Sequence, residues 1–259
     1  MTRYLSAGGG HERSPDALRV FCFPYAGGAA STYARWQRLL GPGVEVLPVQ
    51  LPGREGRMAE KRFTNLPALV DELDAELGPE LEHPHVLFGH SMGALIAFAL
   101  AERRLLRGAR PAQALLLSAY RAPHLPPPEF AAPDATEHEL VESLVRLGGI
   151  PQVLLDHPDW LSALLPIARD DLKMCSGPGP SGTVPLPMPL HTFAGTDDLL
   201  VTPDEVRQWE RYAAGPFELR SVSGGHFFIR ESEAEFLGEL RDILGSVATS
   251  RGAGNGALR

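Results

Sequence analysis

The sequence predicts an α/β protein: a mostly parallel central sheet flanked by helices, with a helical insertion in its second half. Two observations predict it. Short apolar runs alternate with segments whose apolar residues recur at helical spacing, the order that builds strand–helix–strand units. One junction, His85-Val86-Leu87-Phe88-Gly89-His90-Ser91-Met92-Gly93-Ala94-Leu95-Ile96, passes from strand to helix through G-x-S-x-G. The strand-like runs are continuously apolar, as strands covered on both faces are.

In chain order, Leu18-Arg19-Val20-Phe21-Cys22-Phe23 reads as a first buried strand. It enters the small-residue loop Pro24-Tyr25-Ala26-Gly27-Gly28-Ala29-Ala30. A helix capped near Ser31 follows, carrying Tyr33, Trp36, Leu39 and Leu40, and Gly41-Pro42-Gly43 ends it. Residues 44–50 read as a second strand and 51–57 as a tight loop. A helix over 65–77 has Leu66, Leu69, Val70, Leu73 and Leu77 on one face. The G-x-S-x-G strand and its helix run to about 107, and 111–118 is a fourth strand. The pattern then breaks. Residues 120–189 hold Pro126-Pro127-Pro128, helical stripes over 137–147 and 160–174, and a Gly/Pro stretch over 177–189. That is too long for a simple loop and too poor in strands for a domain, so it reads as a lid, with 177–189 as a hinge. Strand 190–194, helix 203–212, strand 217–222 and helix 232–244 complete the single domain of 1–259. Gly8-Gly9-Gly10 marks a loose lead-in, and 248–259 reads as a disordered tail.

With 259 residues the chain can bury a large core, and a formal charge of −8 argues against nucleic acid as a partner. No stretch has the length and purity of a membrane span, and the first residues lack the apolar run of a signal peptide. The two cysteines, Cys22 and Cys175, have neither metal-ligand spacing nor a disulfide framework. The expectation is a cytoplasmic protein with reduced thiols, no metal and no cofactor.

The chemistry centres on Ser91. A serine hydroxyl becomes a useful nucleophile when held bare at the tip of a strained turn, within reach of a base. Such a turn leaves no room for side chains two residues before and after the serine, where Gly89 and Gly93 stand. It aims the first helical N–H groups, Met92 among them, at an oxyanion beside Ser91. The base and its orienting acid should lie at the carboxyl ends of later strands, in the order Ser, acid, His. Strand 190–194 ends in Gly195-Thr196-Asp197-Asp198, and strand 217–222 ends in Ser223-Gly224-Gly225-His226. His226 is therefore the expected base. Asp198 is favoured over Asp197 as the acid, because the apolar residues after it turn it toward the histidine. His90 points the wrong way along the turn and His191 lies within a strand, so both read as structural. The loop after the first strand supplies the second oxyanion donor, with the Ala26 N–H favoured.

These pieces together resemble the type II thioesterases of polyketide synthase and nonribosomal peptide synthetase systems. The resemblance rests on Phe21-Cys22-Phe23-Pro24-Tyr25-Ala26-Gly27-Gly28, Val49-Gln50-Leu51-Pro52-Gly53-Arg54, Phe88-Gly89-His90-Ser91-Met92-Gly93-Ala94, Gly195-Thr196-Asp197-Asp198 and Gly224-Gly225-His226-Phe227-Phe228. It implies an α/β-hydrolase fold with a lid, and removal of stalled or wrong acyl groups from phosphopantetheine arms of acyl or peptidyl carrier domains. It also implies Ser91, Asp198 and His226 as triad, Met92 and Ala26 as oxyanion donors, and acidic carrier partners. Two other readings compete: a carboxylesterase or lipase acting on free esters, and a noncatalytic scaffold of the same fold.

Two further expectations concern substrate. Leu144 and Leu164 stand in the apolar stripes of the lid helices and either wall an acyl pocket or pack the lid. Arg54 and Arg57, with Lys61 and Arg62 behind them, form a local basic patch on the expected rim of the site. They either meet the carrier and its phosphate or pair with Glu55 and Glu60. The default oligomeric state is a monomer.

Overall fold

The computed structural model describes residues 2–5, 17–128, 130, 135–150 and 152–256. The Gly8-Gly9-Gly10 lead-in and residues 257–259 lie outside the described residues. Six strands, β1 (Leu18–Phe23), β2 (Val44–Pro48), β3 (His85–His90), β4 (Ala114–Ser118), β5 (Leu190–Gly195) and β6 (Phe217–Val222), form one sheet in the order β2-β1-β3-β4-β5-β6. All five pairings are parallel.

Alternation along the strands builds two core layers. Phe21, Phe23, Leu87, Leu115 and Leu117 face helices α2 (Leu66–Leu81) and α3 (Met92–Leu106). Val20, Cys22, Val86, Phe88 and Leu116 face α1 (Trp36–Leu40) and α9 (Glu233–Gly256), through Trp36, Phe236, Leu240 and Ile243. The chain leaves β1 toward β2 on one side and returns to β3 on the other. This reversal of strand order opens a crevice at the carboxyl ends of β1 and β3, where sheets of this kind hold their ligands.

Residues 137–175 form three helices, α4 (Glu137–Arg146), α5 (Gln152–Leu155) and α6 (Pro158–Cys175). A Thr136/Glu139 capping box starts α4. Leu140, Leu144, Ile150, Leu165 and Ala168 make a small core of their own, separate from the sheet layers. The 177–189 stretch, expected as a loose hinge, is pinned. The Glu102 carboxylate accepts from the Ser181 and Thr183 N–H groups and the Ser181 hydroxyl, and Leu186 is buried with backbone bonds to Tyr212 and Ala214.

The two sheet edges differ. Beyond β2, Leu5 makes an antiparallel bridge to Val49, with Tyr4 fully buried beside it. Edge strand β6 carries Glu218 and Arg220, and Arg220 pairs with Glu239 of α9. After β5, α7 (Pro203–Arg207) passes into a 3₁₀ turn, and after β6 the short α8 (Phe228–Glu231) precedes α9.

Several boundaries differ from the sequence reading. No side chain caps a helix at Ser31, where the chain makes a 3₁₀ turn over Ala30–Tyr33 before α1. Helix α2 continues through Gly78-Pro79 to Leu81, because Pro79 sits in the last turn and Leu81 is buried in the core. Helix α9 runs on to Gly256, through most of the stretch read as tail.

Candidate active site

Strand β3 delivers Ser91 into a turn with φ 54° and ψ −122°, a backbone conformation that side-chain-bearing residues seldom adopt. The neighbouring glycines make it possible. A Cβ on Gly89 would stand 1.9 Å from the Gly93 carbonyl oxygen, and one on Gly93 would stand 2.0 Å from the Phe23 oxygen. The Ser91 N–H donates to Ser118 O at 2.8 Å, tying the turn to the end of β4. Helix α3 begins at the next residue, so its N-terminal dipole end faces the serine.

The loops after β5 and β6 are joined by backbone bonds, Thr196 N–H to Val222 O and Asp197 N–H to Gly224 O, both 2.9 Å. This places their side chains opposite one another. His226 Nε2 lies 2.9 Å from Ser91 Oγ, and His226 Nδ1 lies 2.8 Å from Asp198 Oδ2. Asp198 Oδ1 accepts from the Leu200 N–H at 2.8 Å and the Val201 N–H at 3.2 Å, which fixes the carboxylate plane. Ser91 and His226 are each 2% exposed and Asp198 8%. Asp197 is exposed and accepts from the Thr196 hydroxyl, away from the histidine. The continuous chain from hydroxyl to imidazole to carboxylate is the arrangement that makes a serine nucleophilic.

Ala26 stands in the turn after β1, and Met92 is the first residue of α3. Among the described residues, neither N–H has a protein acceptor. His90 is buried, its Nδ1 2.8 Å from Ser118 Oγ and its ring packed among Tyr25, His226, Phe227 and Phe228. Burial, and after it the neighbouring His226, push its pKa well below the ordinary histidine range, which keeps it neutral beside the candidate base. His191 pairs with Glu218 on the β6 side of the sheet.

The insertion covers this centre. The Phe130 ring lies 6.0 Å from the His226 ring, nearly perpendicular to it, and Phe130 and Leu147 pack with Phe227. Leu164 of α6 lies over Gly27, its Cδ1 3.3 Å from where a glycine Cβ would stand. Leu144 is buried in the insertion's own core, against which the partly buried Leu164 also packs.

Arg54 and Arg57 are not on the rim. Arg54 is 4% exposed, with its guanidinium held by both oxygens of Asp171 on α6 at 2.7 and 2.8 Å. Arg57 is 7% exposed and stacks 4.0 Å over the Tyr4 ring, with Glu60 and the Gln50 carbonyl as hydrogen-bond partners. The 3₁₀ turn over Glu55–Arg57 folds the loop inward, so the positive charges meet internal partners rather than solvent. Sequence reasoning missed Asp171, Phe130 and Ser118. Asp171 shares a helix with the predicted stripe, but no local pattern ties it to a loop 117 residues away.

Among the described residues, no group of three or more His, Cys, Asp or Glu side chains is placed to hold a metal ion. No helix among them is long and apolar enough to cross a membrane.

Residues 18–244 match the family model described as the thioesterase domain. The chain is similar to the gramicidin S biosynthesis protein GrsT of Aneurinibacillus migulanus, with 34% identity over 225 residues that cover 86% of this chain and 88% of that one. Its fold is similar to that of RedJ, a thioesterase from the prodiginine biosynthetic pathway in Streptomyces coelicolor. That match has a TM-score of 0.83 and 35% identity, covering 92% and 95% of the two chains. The type II thioesterase BorB from the borrelidin biosynthetic cluster matches with a TM-score of 0.82 and 34% identity, over 93% and 97%.

Proposed function

The chain belongs to the thioesterase domain family and is a type II thioesterase of the α/β-hydrolase superfamily; from that premise we propose that it hydrolyses stalled or wrong acyl groups from the phosphopantetheine arms of acyl or peptidyl carrier domains in polyketide or nonribosomal peptide assembly. The observation that carries this reading is the unbroken Ser91–His226–Asp198 chain at 2.9 and 2.8 Å in a site closed to solvent.

Each step follows from these atoms. His226 Nε2 takes the Ser91 proton as Oγ attacks the thioester carbonyl. The resulting oxyanion is met by the Ala26 and Met92 N–H groups, which have no protein acceptor of their own, and by the N-terminal end of α3. Asp198 keeps the Nδ1 proton in place and offsets the imidazolium charge. His226 then returns its proton to the departing thiol sulfur. In the second half it takes a proton from water, which attacks the acyl-Ser91 ester, and it returns that proton to Ser91 Oγ as the C–O bond breaks and the acid leaves. The lid, 120–189 of a single domain, excludes bulk water, and Leu164 walls the acyl chain near the oxyanion loop. The enzyme acts as a cytoplasmic monomer without metal or cofactor, its carrier domain resting outside the lid.

The test compares three substrates: an acyl group on a carrier domain, the same acyl group on a small free thiol, and a nitrophenyl ester. The reading expects kcat/KM highest for the carrier-bound thioester and labelling of Ser91 by a fluorophosphonate. A preference for the free ester would make the protein a carboxylesterase. No labelling and no turnover would make it a scaffold.

A further inference from the structure

Of the buried charges outside the triad, one pair joins three separate segments. Arg54, from the loop after β2, meets Asp171 of the lid helix α6 through two hydrogen bonds, Nη1 to Oδ2 at 2.7 Å and Nη2 to Oδ1 at 2.8 Å. Both side chains are almost completely buried. The third segment is the loop after β1. Asp171 Oδ2 also accepts from the Gly27 N–H at 2.8 Å, and Arg54 Nη1 also donates to the Gly28 carbonyl at 3.0 Å. The Tyr25–Gly28 turn is closed by the Gly28 N–H donating to Tyr25 O at 2.8 Å, and it holds Gly27 at φ +77°. A positive φ at that position marks the turn type whose central peptide is flipped. Gly27 N–H belongs to that central peptide, and a carboxylate is the acceptor that holds it in its present orientation.

Ala26 stands inside this turn, and its own N–H is free for a ligand. The donor is therefore aimed by a side chain that comes from the lid. Building on the thioesterase reading, we propose that Asp171, oriented by Arg54, is a positioning residue: it fixes the turn that presents the Ala26 N–H to the oxyanion, so the oxyanion site is complete only when α6 is seated. The arrangement is expensive as pure architecture. A buried ion pair recovers its desolvation only with good geometry and further hydrogen bonds, and apolar residues of similar volume often stabilise as well or better. The two extra bonds to the Gly27 N–H and Gly28 O are what apolar residues could not supply.

That contrast gives the experiment. The double variant Arg54→Met/Asp171→Leu keeps the volume and removes the acceptor, while Asp171→Asn leaves one oxygen for three N–H donors. Arg62→Gln/Asp170→Asn is the control, because that pair joins the same two segments in a partly exposed position and, among the described residues, makes no hydrogen bond to the turn. Three quantities are read on a short acyl thioester of a small thiol: kcat and KM, the Ki of a trifluoromethyl ketone analogue that forms a tetrahedral adduct with Ser91, and Tm. Removing an oxyanion donor outright costs about 100- to 1,000-fold in kcat, so misaiming one should cost about 10- to 100-fold. The double variant is expected to lose that much in kcat and the same factor in Ki, with KM within about threefold and Tm at or above that of the wild type. Asp171→Asn should fall between it and the wild type, and the control should match the wild type. Unchanged kcat and Ki in the double variant would overturn the proposal, as would a loss of kcat that tracks a fall in Tm or appears equally in the control. If the double variant does not fold, Asp171→Asn decides alone: a several-fold loss in kcat and Ki at constant KM supports the proposal, and wild-type values overturn it. A wild-type protein that hydrolyses no thioester would instead remove the function on which the proposal rests.

Discussion

The sheet and the lid of this protein are built to different standards. The sheet places Ser91, Asp198 and His226 at the ends of three strands, and β1, β3 and β4 are buried at nearly every position. Among the described residues, five buried side chains make up the lid's own core, and Val145, Val153 and Trp160 are exposed. Proton transfer between Ser91 and His226 requires atoms held to a few tenths of an ångström, which a close-packed core supplies. A cover that admits acyl groups of different shape needs a smaller, separable core, and regions with few buried contacts open at low free-energy cost. The sheet holds the three reacting side chains, the lid contributes Asp171 behind the oxyanion turn, and the variants below test whether the lid also sorts acyl groups.

The largest effect that can break this division is at the nucleophile. Ser91→Ala should lower kcat for an acyl thioester by about 10⁴-fold or more while Tm stays within about 2 °C, since only one oxygen is removed. A large fall in Tm would mean that the serine also holds the fold. Next comes the acid. Asp198→Asn should cost roughly 10³- to 10⁴-fold in kcat by disturbing the imidazole tautomer, and Asp197→Asn no more than about threefold. A reversed ranking in steady-state assays would transfer the role to Asp197.

Within the lid, Leu144 and Leu164 should separate. Leu144→Ala leaves a cavity in the lid core and should cost about 2–4 kcal/mol in denaturant unfolding. Leu164→Phe, next to Gly27, should shift the ratio of kcat/KM for long against short acyl chains by roughly tenfold with Tm held. If Leu164→Phe changes only stability, the lid does not set selectivity. The smallest effect is a pH dependence carried by the sheet. Burial, ahead of every other cause, lowers the pKa of His85 from the ordinary histidine value to about 4. The unfolded chain therefore binds more protons than the folded one as pH falls from about 6.5 toward 4, and stability declines across that window. At pH 5.5 the loss should be about 1 kcal/mol. His85→Phe should remove this share of the fall in Tm between pH 7 and 5 and leave the shares of His90 and His191, whose pKa values burial also lowers; an unchanged slope would remove His85 from the account.

The legible parts of the molecule were those whose partners are local or whose position follows from topology. Gly89 announces a crowded turn because the atoms that crowd it belong to Gly93, four residues away, whereas the Phe23 oxygen that crowds Gly93 comes from the neighbouring strand. The order Ser91, Asp198, His226 could be read because a parallel sheet gathers the carboxyl ends of its strands, however distant in the chain. The direction of Arg54 and Arg57 was not legible. A charge run in a loop looks the same whether it faces water or an internal carboxylate, and the Arg54 partner comes from a helix whose docking no spacing encodes. The end of α2 was hidden for a related reason. Gly78-Pro79 is a stop by propensity, but burial of Leu81 extends the helix, and a proline in the last turn forgoes little. Tyr4 and Leu5 sit beside the glycine-rich lead-in, and only their contact with Val49 and Arg57 reveals that they are held.

Those two N-terminal residues bear on how the protein behaves at high concentration. An open parallel sheet ends in rows of unpaired N–H and C=O groups that invite another chain to add a strand. Here Leu5 bridges to Val49 just past the end of β2, and the far edge presents Glu218 and Arg220, charges that resist pairing with an apolar strand. Neither side of the sheet is a ready template for a neighbour. A strand added at either side would have to displace Leu5 from Val49 or accommodate the Glu218 and Arg220 charges.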